Sequence, residues 1–135
     1  MARLSWTPDW SVGVESIDLQ HRALLDLLNE LDDVLNAGGS RLKIQEVLIS
    51  LVNHTISHFE FEEALLIDKL YPDFSAHKKE HFVLTNQVLR IPGDIIAGKE
   101  VDARAIMAFL ENWLEHHILN SDKAYSEYLT GKGIR

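Results

Sequence analysis

The sequence predicts an all-α protein, an up-down-up-down antiparallel four-helix bundle with an irregular N-terminal arm and a short C-terminal helix. Three observations carry this expectation: apolar residues recur at helical spacing in four stretches, short glycine- or proline-containing breaks separate them, and the alternation of a β-strand appears nowhere. In the first stretch Ile17, Leu24, Leu25, Leu28, Leu31 and Leu35 form the stripe, and Gly38-Gly39 stops it. Ser40 is the N-cap of the second, whose inward stripe runs Ile44, Leu48, Leu51, Thr55, His58, Glu62, Leu65. "LYPD" breaks it, because Pro72 disfavours helix at Tyr71. The third carries Phe74, His77, His81, Leu84, Val88 and Ile91 until Pro92-Gly93 kinks or ends it. Asp102 opens the fourth, with Ile106, Leu110, Trp113 and His117 in line. One domain is expected over 1–135: an arm at 1–16 anchored by Trp6 and Trp10, a bundle at 17–119, and a short helix and polar tail at 120–135.

Composition narrows the function. Thirteen basic against twenty-one acidic residues leave a net charge of −8 with no basic cluster, which argues against nucleic acid or an anionic membrane as partner. No apolar run resembles a signal peptide or reaches membrane-spanning length, so a cytoplasmic protein without membrane insertion is expected. There is no cysteine, hence neither a disulfide nor a thiolate metal site. Seven histidines are the compositional oddity.

Those histidines are not scattered. His21 opens the first helix, His58 and Glu62 lie near the end of the second, His77 and His81 open the third, and His117 ends the fourth. In an antiparallel bundle these positions all meet at one end. His58/Glu62 and His77/His81 are i, i+4 pairs, about 40° apart in azimuth and roughly 6 Å along the axis, so each pair can offer two ligand atoms to one cavity. Asp122 follows His117 by five residues, roughly 140° round an ideal helix. It joins the cluster only if the helix breaks near Asn120 or Ser121, so the fourth helix is expected to end there. A lone inward histidine is ordinarily a satisfied core residue. Five with two carboxylates at one level require a cation, because each unpaired buried polar group costs a few kcal/mol against a total stability of about 5–15. Seven ligands exceed a structural zinc site, and imidazole with carboxylate suits iron, which two carboxylates can bridge. Glu60 and Glu63 lie off the inward stripe and read as solvated.

The motifs "VGVESIDLQH", "HFEFEE", "HKKEH" and "WLEHHILNSD", in this order over essentially the whole chain, resemble the hemerythrins, specifically the single-domain bacterial kind. The resemblance implies reversible dioxygen binding at a non-haem di-iron centre, for carriage, storage or delivery to an oxygen-using enzyme, and assigns no catalytic residue. It implies two Fe ions (Fe2+/Fe3+): one held by His77, His81 and His117, the other by His21 and His58 with an open position. Glu62 and Asp122 would bridge them, with an oxo or hydroxo group as third bridge. Phe59, Trp113, Leu114 and Ile118 match the family's oxygen-pocket positions, and Leu25 and Leu28 face the same cavity by helical spacing. Leu66 stands where methionine is common, and His54 and His116 have no family role; His54, one turn before His58, is a candidate neighbour of the site. Two other readings of such a centre are a di-iron oxidoreductase or peroxidase and an oxygen- or iron-sensing module.

Overall fold

The computed structural model describes residues 5–135; the first four residues of the expected arm lie outside them. Among the described residues all regular structure is helical, and the main helices form the antiparallel bundle. A single 3-10 turn, Pro8–Trp10, precedes α1 (Glu15–Asn36), α2 (Arg41–Asp68), α3 (Phe74–Val88), α4 (Arg90–Ile96), α5 (Ala103–His116) and α6 (Lys123–Gly131). None of these helices is long and apolar enough to cross a membrane.

The helix ends follow from local chemistry. At the close of α1, Gly38 takes a left-handed φ of 68° and the Gly39 N–H reaches back to the Val34 carbonyl at 2.8 Å. This satisfies a carbonyl the helix would otherwise leave open. Ser40 caps α2 by accepting the Lys43 N–H at 3.1 Å, and Asp102 caps α5 by accepting that of Ala105 at 3.1 Å. The third helix stops earlier than the sequence suggested. It ends at Val88, and Pro92-Gly93 fall inside the separate α4. In an unbroken helix the Pro92 ring would collide with the carbonyl four residues back, that of Val88. A bend at Leu89 removes the clash and places Pro92 in a first turn, where its missing N–H costs nothing.

The fourth helix corrects a second expectation. It does not end near Asn120 or Ser121. It widens into π-helical turns over His117–Asp122 and continues as α6, with the Lys123 N–H reaching the Ile118 carbonyl five residues back. Turns of this width bring residues five apart onto one face.

Two apolar clusters fill the bundle. The larger packs the four long helices together with Trp10. The smaller, Val12, Val14, Ile17, Leu66, Tyr71, Tyr125 and Leu129, closes one end, where α6 and the arm fold across it. The arm is tied down at three points: the Val12 N–H donates to Asp18 at 2.9 Å, the Ser11 hydroxyl donates to Asp18 at 2.6 Å, and the Ser126 hydroxyl donates to the Val12 carbonyl at 2.6 Å. The inward polar residues lie between these two clusters.

Ser40 lies at the opposite end of α2 from that layer. Ser40→Ala should lower stability by about 1 kcal/mol, and Ser40→Gly by only a few tenths, with metal content unchanged in both. Urea unfolding curves with elemental analysis check this.

Candidate metal centre

Every helix of the bundle contributes to one buried layer. His21 comes from α1, His58 and Glu62 from α2, His77 and His81 from α3, and His117 and Asp122 from the wide turns after α5; all seven are buried, Glu62 and Asp122 completely. The π-helical turns seat Asp122, whose Oδ1 lies 3.0 Å from His117 Nε2.

All five histidines present Nε2 to the interior, in two groups. The Nε2 atoms of His81 and His117 are 3.1 Å apart, and those of His21 and His58 are 3.0 Å apart. Each carboxylate divides its oxygens between the groups. Glu62 Oε1 contacts His77 and lies 3.2 Å from His81, whereas Oε2 lies 3.0 Å from His58 and 3.8 Å from His21. Asp122 Oδ1 faces His77 at 3.2 Å and His117 at 3.0 Å, whereas Oδ2 faces His21 at 3.1 Å. The ligand atoms of Glu62, His77, His81, His117 and Asp122 all lie within 4.8 Å of one another, as do those of His21, His58, Glu62 and Asp122. The two sets share both carboxylates.

Glu62 is hydrogen-bonded to His77, but the short contacts of Asp122 are poorly formed as hydrogen bonds. Neither oxygen of Asp122 has a correctly angled partner among the described residues, though three imidazoles approach within 3.2 Å. Imidazole nitrogens and carboxylate oxygens converge on common points. Donors of this chemistry, in two overlapping sets with orphaned buried oxygens, fit a pair of cations.

Charge follows from the same geometry. Burial opposes ionisation of Glu62, but hydrogen bonds with His58, His77 and His81 outweigh it and hold the carboxyl well below the usual range. For Asp122, burial and the Glu62 charge are outweighed by His117 and His21, again lowering it. Burial disfavours the charged form of His77, but Asp122 and Glu62 together raise it to about 10.

Two of the outer nitrogens are held as well, whereas those of His21 and His117 have no hydrogen-bond partner among the described residues. His58 Nδ1 donates to Gln20 Oε1 at 2.6 Å and His81 Nδ1 donates to Glu63 Oε2 at 3.0 Å, which fixes each ring with Nε2 turned inward, where it can ligate a cation in exchange for a proton. Glu63 is therefore not the solvated residue its position off the stripe suggested; it is half-buried and reaches across to α3, while Glu60 is exposed. Gln20 and Glu63 each adjoin a cluster residue in sequence, but adjacency does not reveal a contact with a different helix. Tyr125, three residues after Asp122, donates its hydroxyl to Glu62 Oε2 at 3.0 Å. Burial and the charges of Asp122 and Glu62 push its phenol well above its ordinary range, so it remains a donor. His54 and His116 are exposed and donate to the Ser50 and Asn112 carbonyls of their own helices; neither joins the cluster.

A cavity of about 20 Å³ adjoins the cluster on the side of the larger core. Its floor is Leu24, Thr55, Leu84 and Leu114, each one turn from a cluster histidine on its own helix; Leu28, Leu51 and Leu110 form the next tier. Phe59 stacks on His81 at 3.8 Å and Trp113 on His117 at 4.3 Å, closing the flank. The Thr55 hydroxyl of the wall is occupied by the Leu51 carbonyl at 2.7 Å. Of the expected pocket residues, Leu28, Phe59, Trp113 and Leu114 line this space. Leu25 and Ile118 do not; both are buried in the surrounding core, each one residue away from a position that faces the site.

Fold and layer together define a class: a helical bundle whose buried histidines and two shared carboxylates are arranged for a pair of cations. Over residues 12–129 the chain matches the hemerythrin HHE cation binding domain. It is 35% identical over 127 residues to bacteriohemerythrin of Stenotrophomonas maltophilia (strain R551-3), covering 94% of this chain and 82% of the relative. It is 33% identical over 131 residues to bacteriohemerythrin of Methylococcus capsulatus (strain ATCC 33009 / NCIMB 11132 / Bath), covering 96% and 99%. A crystal structure of wild-type hemerythrin superposes with a TM-score of 0.86 at 32% identity, covering 93% of this chain and 96% of that one. The chain belongs to the hemerythrin family.

The pH dependence of the metal-free protein tests the electrostatics. His77 is raised from 6.5 to about 10, so its contribution to stability is complete below pH 6.5 and is lost as pH rises through about 10. Glu62 and Asp122 are lowered from 4.5 and 3.8, so theirs is complete above those values and is lost as pH falls. The melting temperature should therefore peak between about pH 5 and 6.5 and fall towards pH 10. His77→Gln should flatten the alkaline limb; an unchanged limb would contradict the pairing.

Proposed function

We propose that the chain binds dioxygen reversibly at two iron ions, for carriage, storage or delivery, with His77, His81 and His117 on one ion and His21 and His58 on the other. Glu62 and Asp122 would bridge them, with an oxo or hydroxo group between. The observation that carries the reading is the division of each carboxylate between the two histidine groups. When bound, the irons supply the electrons that dioxygen takes up on binding and returns on release.

The protein's part is played by its own residues. The group with two histidines offers fewer protein donors than the group with three, which leaves room for an external molecule. The adjoining cavity is mostly apolar and large enough for a small molecule, and its Thr55 hydroxyl is already engaged by the Leu51 carbonyl, so a bound diatomic is held away from water. Gln20 and Glu63 hold His58 and His81 in the tautomer whose Nε2 can ligate. Tyr125 holds Glu62 in its bridging orientation. A cytoplasmic location, and an oxygen-using enzyme as the recipient, are part of the same proposal.

The deciding experiment is an optical spectrum of the reduced, iron-loaded protein in vacuum, in air and in vacuum again. A band that appears with air and disappears on evacuation, with two irons per chain by elemental analysis, supports the proposal. One zinc and no iron in native material would sink it. Rapid peroxide turnover with no reversible band would make the protein a di-iron oxidoreductase instead.

The ligand set has its own test. Glu62→Ala should lose the two-iron centre, whereas Glu60→Ala should keep it; Glu63→Ala should keep both irons but bind them about tenfold or more weakly, as removing a carboxylate behind a ligating histidine generally does. Competition titrations with a chelator measure this. Loss of iron in Glu60→Ala with retention in Glu62→Ala would reverse the assignment.

Leu114 tests the wall. It is buried one turn before His117 and lines the cavity. Leu114→Asn keeps the size but admits hydrogen bonds and water. It should still load two irons and still take up oxygen, then decay to the ferric state on the order of tenfold faster, which corresponds to about 1.4 kcal/mol of barrier. Stopped-flow absorbance of the oxygen-bound protein follows the decay.

A further inference from the structure

The cavity is not sealed evenly. Its first tier has one member from each helix: Leu24, Thr55, Leu84 and Leu114. One turn further from the cluster, α1 and α2 supply Leu28 and Leu51, and α5 supplies Leu110. The equivalent residue of α3 is Val88, and it does not line the cavity. It lines a groove of about 350 Å³ on the outer face of the bundle, between α3/α4 and α5. Leu110 is the one residue common to the two linings.

From this arrangement we infer that dioxygen enters along the seam between α3 and α5, and that Leu110, closing against Val88, is the gate. This rests on the oxygen-binding reading for its ligand, but not for its geometry. The seam forms a ladder towards the cluster: Val88, Leu84 and His81 descend α3 while Ile106, Leu110, Leu114 and His117 descend α5, one helical turn at a time. Every rung above the histidines is apolar. A small uncharged molecule can pass such rungs, whereas a hydrated ion or an anion would be desolvated at Leu110 without a polar partner. A change of rotamer at Leu110, without movement of the backbone, opens the path. Two other grooves of similar size, one at Leu35, Ile44, Leu48 and Val101 and one at Trp6, Leu25 and Asn29, share no lining residue with the cavity.

A gate has a signature that a wall residue lacks: it changes entry and exit together and leaves the equilibrium in place. Leu110→Ala should raise both the oxygen association and dissociation rates of the iron-loaded protein on the order of tenfold, so that each rate changes more than their ratio does. Ile106→Phe, at a half-buried position one turn before Leu110, should fill the groove and lower both rates. It also keeps the test available if the deletion at Leu110 prevents folding.

Xenon supplies a probe independent of iron. Added to the metal-free protein, it should shift the methyl resonances of Leu24, Leu84 and Leu114 in NMR spectra. Its exchange should speed up in Leu110→Ala and slow down in Ile106→Phe. Unchanged exchange in both variants, or xenon that does not touch those methyl groups, would overturn the route. If the xenon series behaves as expected but the iron-loaded wild type takes up no oxygen, the route stands and the oxygen-binding reading fails.

Discussion

Two carboxylates held in a water-free interior are the constraint around which the rest of this molecule is arranged. Glu62 and Asp122 are completely buried. Taking a carboxylate out of water costs several kcal/mol even after relaxation, and only close, oppositely charged or strongly polar neighbours offset that. Five imidazoles supply those neighbours, and each must come from a different turn or helix to reach the same volume. The antiparallel bundle meets the demand by bringing two helix starts and two helix ends to one level. The wide turns at His117–Asp122 are the local adjustment that lets one segment contribute both a histidine and a carboxylate.

The same constraint accounts for the structure around the layer. A charge-bearing site exposed to water would be screened and would exchange freely with solvent. Here the smaller apolar cluster closes the end of the bundle, with the arm and α6 tied across it through Asp18 and Ser126. On the other side the aromatic rings of Phe59 and Trp113 lie flat on His81 and His117. These contacts limit the rings to a narrow range of orientations, and the hydrogen bonds from Nδ1 to Gln20 and Glu63 limit two of the five further. The partners are unlike: a neutral amide stands behind His58 and a carboxylate behind His81. A carboxylate partner makes an imidazole the stronger donor, so the two halves of the layer differ electronically as well as in their number of histidines.

Much of this was legible in the amino-acid order. Period-3.6 stripes, the Gly38-Gly39 stop, and the caps at Ser40 and Asp102 are local properties of the chain, and the bundle follows from their number and spacing. The inward residues were legible for the same reason: i, i+4 spacing puts His58 beside Glu62 and His77 beside His81 in any α-helix. The motifs then set the family, to which the matched length of the chain gives direct support.

Features that depend on contacts between helices, or on small departures from ideal helical geometry, were not legible. A five-residue interval from His117 to Asp122 suggests a break when 3.6 residues per turn are assumed; only the packed structure decides for a widened turn, because burying Asp122 against His21, His77 and His117 outweighs the irregular backbone. The bend at Leu89 likewise reflects a clash one turn upstream of Pro92. Glu63, Gln20 and Tyr125 look like flank residues until α1, α2, α3 and α6 are brought together. The composition of the layer was thus determined locally by the sequence. Its closure, the hydrogen bonds behind its histidines, and the side of the bundle on which it meets an apolar cavity were decided by tertiary packing, because each depends on distances between residues far apart in the chain.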